Sequence, residues 1–463
     1  MTSSRFFPLS LLFILVALAA LSHCLKWPFG HQNEHVHIEQ SEQDIRKPAI
    51  ASPKQKTLVV EHVTVLTVVR IPTPEEHPGL EDEESRLMQT LQKSKGKWDS
   101  THPRYRLLTA LKAYLLYKPR SAADIDKWRN SYKKIPKKQR SLVESKIRYS
   151  KKLNTVDHLI LKNAEIAHAI VNHGLDFYEI DMKELEDFVD ETQDEPTGDS
   201  KTNVLQAMKH FVRDWSEEGL HERQPTFPCI VNAIQREFPV ETRTENAAPI
   251  KVLVPGAGLG RLAHEIAALE GFEVTANEWS SYMNLAYRYL LTLTTLNSAT
   301  LHPFVDWWSH RTTTTSLTRS ITFPDTLPSD TRSPVLLVEG DFTTVLTPSA
   351  GTFDTVLTLF FIDTAKNILS YLETIHAMLK PGGVWINFGP LLYGTNPSLQ
   401  LSLDEVFALA EGLGFVFEEA SAECGDVTVE GLKTRGKEVP YGSDKESLAR
   451  NAYLAQHWVA RKK

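Results

Sequence analysis

A doubly wound α/β sheet preceded by a helical region is the fold that the sequence predicts, on three observations. From residue 249 onward, short apolar runs alternate with segments of helical period. The first of these runs ends in three glycines at alternate positions, "VLVPGAGLGR" over 252–261. Before it, from about residue 105 to 234, apolar residues recur at intervals of three and four, the spacing of a single helix face.

In chain order, "RLLTALKAYLLY" (106–117), "TVDHLILKNAEIAHAIVNHGLDF" (155–177) and "NVLQAMKHFVRDWSEEG" (203–219) predict amphipathic helices. Between them lie a basic stretch, 127–152, and an acidic one, 178–199. The basic stretch reads as a solvated helix pair, with an RNA-binding face as its rival. The acidic stretch ends in "TQDEPTGDSK", a surface loop by composition. The strands follow: "IKVLVPG" (250–256), "FEVTANEW" (272–279), "PVLLVEGDF" (334–342), "FDTVLTLFFID" (353–363) and "GGVWINFGP" (382–390). Helices are expected between them over 261–269, 281–296 and 366–379. Strands that are apolar throughout belong in a parallel sheet covered on both faces, and ligands bind such sheets at the carboxyl ends of the strands.

Composition sets further bounds. A chain of 463 residues, 41% hydrophobic and 24% charged, has the balance of a folded protein of more than one domain. A net charge of −7 argues against a surface made to neutralise phosphates, so no nucleic-acid partner is expected. Cys24, Cys229 and Cys424 lie far apart and form neither a metal-ligand cluster nor a disulfide framework. No metal is expected. The run "PLSLLFILVALAALSHCL" (8–25) follows a single Arg5 and reads as a secretory signal or a short signal-anchor. Against secretion, the one Asn-x-Ser/Thr match, at Asn396, is blocked by Pro397. A cytoplasmic body (nuclear entry left open), with an endoplasmic reticulum tether at 8–25, stands beside cleavage and a misplaced start. The expected domains are residues 1–25, a largely disordered linker over 26–99 with one strand-like run at 57–69, a helical lid over 100–245 and the sheet domain over 246–463.

The glycines are Gly256, Gly258 and Gly260. Glycine reaches positive φ and lets a ligand approach the backbone. A dinucleotide fingerprint needs G-x-G-x-x-G, but Arg261 occupies the third-glycine position. The observed G-x-G-x-G spacing is the one typical of S-adenosylmethionine sites. Glu278 closes the second strand, where an acid can accept both ribose hydroxyls; as the bland alternative it is a surface acid beside a helix start. After the third strand, Asp341 can accept from the adenine amino group, and Phe342 can lie against the purine or simply pack in the core. Asp363 ends an apolar run, where a carboxylate is costly unless paired or used, although it can also cap the helix that follows.

Taken together, "FVRDWSEEG", "LVPGAGLGRLAHEIA", "NEWS", "EGDF", "FFIDTAKNILSYLETI" and "LKPGGVWINFGPLLY" resemble the carnosine N-methyltransferase family from about residue 102 to the C-terminus. The resemblance implies a class I methyltransferase, Rossmann-like sheet with an N-terminal helical domain, and an S-adenosylmethionine-dependent enzyme methylating an imidazole nitrogen of carnosine or a related histidine-containing small molecule or peptide. It implies that Arg213 reaches the cofactor carboxylate, with an ion pair to Asp214 or Glu217 as the alternative from pattern alone. His210 stands where the family has glutamine. Gly256, Glu278, Asp341, Phe342 and Leu359 match cofactor positions, and Asp363 and Tyr453 match substrate positions. Two departures stand out: Gly394 replaces a substrate-contacting histidine, and Val254 replaces the acid that most methyltransferases of this class carry two residues before the first glycine. Rival readings are an RNA or protein acceptor, a non-catalytic cofactor-binding scaffold and a dinucleotide oxidoreductase. Oligomeric state, including a homodimer, stays open.

Overall fold

The computed structural model describes residues 77, 79–193, 200–242, 244, 247–394, 396–442 and 444–463, together with the backbone of 36–45 and 61–70. The segment 8–25 lies outside the described residues, as do 194–199 of the acidic loop. Among the described residues no helix is long and apolar enough to cross a membrane.

Strands β1 (Val36–Ile45) and β2 (Glu61–Arg70) pair antiparallel and belong to one compact unit; residues from Glu76 onward form a second. Helix α1 (Leu80–Thr90) opens that second unit. Residues 26–99, expected as a largely disordered linker, therefore hold three regular elements. The expectation weighed charge and proline content, but α1 buries Leu87, and its Arg86 donates to the Glu339 carbonyl at 2.8 Å.

The helical region comprises α2 (Pro103–Leu115), α3 (Tyr117–Lys133), α4 (Lys137–Ile147), α5 (Tyr149–Phe177), α6 (Met182–Glu191), α7 (Ser200–Trp215) and α8 (Phe227–Glu237). Local sequence sets several starts: His102 and Asp181 accept backbone N–H groups at the heads of α2 and α6, and Pro103 occupies the first turn of α2. The acidic stretch is thus in part a helix, α6, held by buried Leu185 and Phe188. Helix α4 buries none of its residues, which leaves the basic stretch solvated there. Gly174 lies inside α5 because a Cβ would come within 2.4 Å of a Leu285 methyl, so the glycine allows α5 to approach α10 (Ser281–Leu291) closely.

The remaining chain supplies α9 (Arg261–Ala267), α10, α11 (Ile368–Met378) and α12 (Leu403–Gly412) around a nine-stranded sheet. A small hairpin, β5 (Ala299–Leu301) with β6 (Ile321–Phe323), stands apart from it. The strands of the sheet are β3 (Ile250–Pro255), β4 (Phe272–Glu278), β7 (Val335–Glu339), β8 (Phe353–Leu359), β9 (Leu379–Gly389), β10 (Phe415–Glu418), β11 (Asp426–Val427), β12 (Arg435–Pro440) and β13 (Ala452–Lys462). Their order is β11-β12-β13-β9-β8-β3-β4-β7, with β10 also on β13. Strands β3, β4, β7, β8 and β9 are parallel, and β13 is antiparallel to β9. The chain leaves β3 toward β4 and β7, then returns to β8 on the other side, so the topological switch lies between β3 and β8.

Apolar side chains on both faces explain the uninterrupted runs. Val252 and Val254 join a core shared with the helical region, while Leu253 joins a second core around Ile368, Trp385 and Trp458. At the β7 edge a buried Glu339 takes hydrogen bonds from Tyr178 and Arg288, each at 2.9 Å, tying the last turn of α5 to α10 and the sheet. Removing one charge of such a pair strands the other. The Glu339→Gln variant is expected to lose about 3–5 kcal/mol of stability, read as a lowered urea midpoint, while Arg288→Met with Glu339→Gln should recover part of it.

Candidate functional site

At the switch point the glycine turn has positive φ at all three positions: 62° at Gly256, 58° at Gly258 and 75° at Gly260. Space makes the same demand. A Cβ on Gly256 would fall 2.3 Å from the Phe361 ring, and one on Gly260 2.6 Å from the Tyr287 ring. Helix α7 crosses above. Its Trp215 indole N–H donates to the Leu259 carbonyl at 2.8 Å, and Arg261 donates to the Asp214 carbonyl at 3.0 Å. Arg261, read as the residue that breaks a dinucleotide fingerprint, also pairs with Asp325 at 2.6 Å and so locks the turn to the chain beyond β6.

Next to the turn, α7 places three polar side chains together. Asp214 takes Arg213 Nε on Oδ1 at 2.9 Å, while His210 Nδ1 lies 2.9 Å from both Asp214 Oδ2 and Arg213 Nη2. The ring tautomer decides which of the two it bonds. Burial and the Arg213 cation hold the imidazole below its usual pKa, against the pull of Asp214. Burial works against the Asp214 carboxylate, yet Arg213 and His210 hold its pKa far below the usual carboxylate range. The Arg213–Asp214 ion pair expected from pattern is present.

A cleft opens between α7, the glycine turn and the ends of β8 and β12, lined by Arg213, Glu222, Gly256, Leu359, Phe360 and Tyr441 among others. Of the residues singled out in the sequence, Arg213, Gly256 and Leu359 meet there. Glu278, Asp341 and Phe342 are not among its lining residues. Glu278 accepts the N–H groups of Gly258, Trp279 and Ser280 at 2.9, 2.7 and 2.8 Å, and burial raises its pKa against those three bonds. Asp341 is exposed and takes the Thr343 N–H and hydroxyl at 2.8 and 2.7 Å, an N-cap arrangement. Phe342 is buried, edge-on to Phe361 and Tyr371, as a core aromatic would be.

Asp363 sits in a short turn, Ile362–Thr364, just past the end of β8. Its Oδ2 accepts the Leu392 N–H at 2.9 Å, which fixes the loop after β9; burial raises its pKa. That bond, rather than a cap on the following helix, engages it: Asn367 caps α11. Tyr453 is half-buried on β13, its ring 5.6 Å from Tyr441 and 6.2 Å from Phe360. Gly394 lies in open surroundings, where a Cβ would meet only Leu392, at 3.8 Å.

Four residues at this site were not singled out from the sequence: Phe360, Tyr441, Glu222 and Arg106. Phe360 carries φ 51° and stacks on Tyr441 at 4.7 Å, both lining the cleft. Glu222 lines it from the segment after α7. Arg106 lies 4.1 Å over the Trp279 ring and donates to the Trp279 carbonyl at 2.6 Å, beside Glu278. Long-range contacts bring them together, although Phe360 opens the stretch "FFIDTAKNILSYLETI" and Trp279, under Arg106, adjoins the flagged Glu278.

The family model described as carnosine N-methyltransferase matches residues 190–463. A carnosine N-methyltransferase of Schizosaccharomyces pombe is 31% identical over 377 residues, covering 77% of this chain and 95% of that protein. The chain belongs to the carnosine N-methyltransferase family. It is accordingly an S-adenosylmethionine-dependent N-methyltransferase. A carnosine N-methyltransferase of Mus musculus is 33% identical over 304 residues, covering 64% of this chain and 73% of its own length. Among solved structures, phosphoethanolamine N-methyltransferase 2 of Haemonchus contortus in complex with S-adenosylmethionine is similar at a TM-score of 0.32 and 13% identity, covering 60% of this chain and 59% of that one. The residues present fit the cofactor. Gly256, which has no Cβ, borders a cleft that Arg213 also lines, and a carboxylate, Glu278, is already tied to the same turn.

Because the Asp214 pKa is lowered on folding, its pairing stabilises the protein above the unfolded carboxylate pKa and is lost as pH falls through the lower folded one. Asp214→Asn is expected to cost about 2–3 kcal/mol at neutral pH. In thermal melts the gap from the parent should shrink as pH drops below about 4.

Proposed function

We propose that this enzyme methylates an imidazole nitrogen of carnosine or a related histidine-containing small molecule or peptide. One observation carries the reading. A buried carboxylate, Asp363, stands at the carboxyl end of the strand whose last residues line the cleft, and a backbone N–H holds one of its oxygens in place.

The cofactor supplies a methyl group already activated on a sulfonium. The protein's part is then to bind, align and exclude water. Arg213 is assigned the cofactor carboxylate, with His210 orienting it; Glu278 the ribose hydroxyls; Asp341 the adenine amino group; and Phe342 the apolar wall beside the purine. Gly256, Gly258 and Gly260 provide close backbone approach, and Leu359 borders the methionine part. On the acceptor side, Asp363 accepts the N–H of one ring nitrogen. The other nitrogen then keeps its lone pair for the methyl group, and the carboxylate offsets the positive charge that develops. Burial already disfavours an uncompensated charge on Asp363, which makes an imidazolium partner more favourable than water. Tyr453, with Phe360 and Tyr441, offers aromatic surface to the ring.

The test is transfer of a labelled methyl group to carnosine, histidine, histidyl peptides and RNA. Methylation of an imidazole compound supports the reading, and transfer to RNA alone overturns it. Asp363→Ala should lower turnover by at least about 100-fold while cofactor affinity stays within a few fold. Loss of both together would place Asp363 in the cofactor site or in folding. Protonation removes the ring lone pair, so kcat/KM should fall below about pH 6.5 for a free imidazole acceptor.

Gly394 bears on which imidazole compound is used. The surroundings of its α-carbon accept a side chain. Gly394→His is therefore expected to leave the melting temperature unchanged and to lower KM for carnosine relative to histidine.

A further inference from the structure

Glu222 is a buried acid of the cleft without a part in the reaction described above. It follows α7 in the short helix Leu220–Arg223, is 8% exposed and lines the same cleft as Arg213. Two acids line that cleft, and they differ in what engages them. Asp214 spends Oδ1 on Arg213 and Oδ2 on His210. Glu222 accepts the Gly442 N–H on Oε2 at 3.0 Å, and its Oε1 lies 3.8 Å from His221. Its electrostatic field reaches Arg213, each raising the tendency of the other to stay charged. Burial pushes the Glu222 carboxyl pKa up, the cost of a negative charge that a further cation would offset.

We infer that Glu222 receives the ammonium group of the cofactor's methionine part, so that Arg213 and Glu222 together hold a zwitterionic amino acid across the cleft. The inference rests on the reading that Arg213 takes the carboxylate of the same group. The chemistry is specific. An α-amino acid carries opposite charges on one carbon, and a cleft with a guanidinium and a carboxylate facing one volume meets both. The Gly442 bond adds a second consequence. Gly442 follows Tyr441, whose ring stacks on Phe360, so Glu222 also anchors the corner that carries this ring.

Calorimetric binding to the full chain separates these roles without turnover. S-adenosylhomocysteine carries the amino acid, whereas 5′-methylthioadenosine keeps the nucleoside and thioether and lacks it. Glu222→Gln retains an acceptor for the Gly442 N–H and removes the charge. It is expected to weaken S-adenosylhomocysteine about tenfold or more and to leave 5′-methylthioadenosine within about twofold. Equal loss for both ligands, or no loss for either, overturns the assignment and leaves Glu222 an anchor of the Tyr441 corner. Unchanged S-adenosylhomocysteine binding with a raised KM for a dipeptide acceptor also overturns it, by moving the ammonium to the substrate. Arg213→Met, measured in parallel, tests the underlying reading by itself: it should discriminate between the same two ligands whatever Glu222 does.

Discussion

The last turn of α7 resting on the glycine turn is the contact on which the rest of the site depends. A loop with three residues at positive φ gives up its backbone entropy for few contacts of its own. Here the contacts come from above: the Trp215 indole on the Leu259 carbonyl, Arg261 on the Asp214 carbonyl, and the His210 ring against Gly258. The same turn of helix carries Arg213. A single docking therefore fixes the backbone that approaches the cofactor and positions the cation assigned to its carboxylate. A helical lid hinged loosely to the sheet could not do this. The two share one compact unit, and buried pairs such as Arg288 with Glu339 join them elsewhere.

Charge in and around the cleft is balanced locally. Arg223 and Arg261 share Asp325, at 2.6 Å each, while Arg213 has Asp214. In a low-dielectric cleft an unpaired charge of either sign would be expensive, so charged groups come with partners. Such an arrangement suits a cofactor carrying charges of both signs and a product that is a cation. It also explains why a chain with a net charge of −7 keeps so basic a cluster next to its glycine turn.

On the acceptor side the sheet itself imposes the geometry. The Phe360 N–H bonds the Phe388 carbonyl at 2.9 Å, and Gly389 brings its backbone so close to Phe360 that a Cβ would sit 3.0 Å from that nitrogen. At this end of the β8–β9 pairing Phe360 takes φ 51°, its ring stacks on Tyr441, and Asp363 follows three residues later. The aromatic surface and the acid therefore come from one irregular exit of β8. Strain concentrated at such an exit is a common companion of function.

The sequence by itself determined the parallel sheet, the order of its strands and helices, and the positions of the glycine turn and its following acids. These are local matters: the apolar period reports which faces are buried, and G-x-G-x-G reports where a backbone must lack side chains. Gly256 was legible from the glycine spacing, whereas Arg213 and Leu359 were named only through the resemblance, because nothing in the period of α7 marks one arginine among several; all three line the cleft. Within 26–99 the strand-like run at 57–69 overlaps β2, whereas α1 had no signal, since an edge strand's need for a cover is invisible in the covering segment. Only the tertiary structure decided the rest. Phe360, Tyr441 and Glu222 reach one volume from three separate stretches of chain, and Asp363 turned out to hold Leu392 rather than a helix start. Such groupings arise from the pairing of β8 with β9 and the docking of α7, and a distance set by packing leaves no period in the sequence to read.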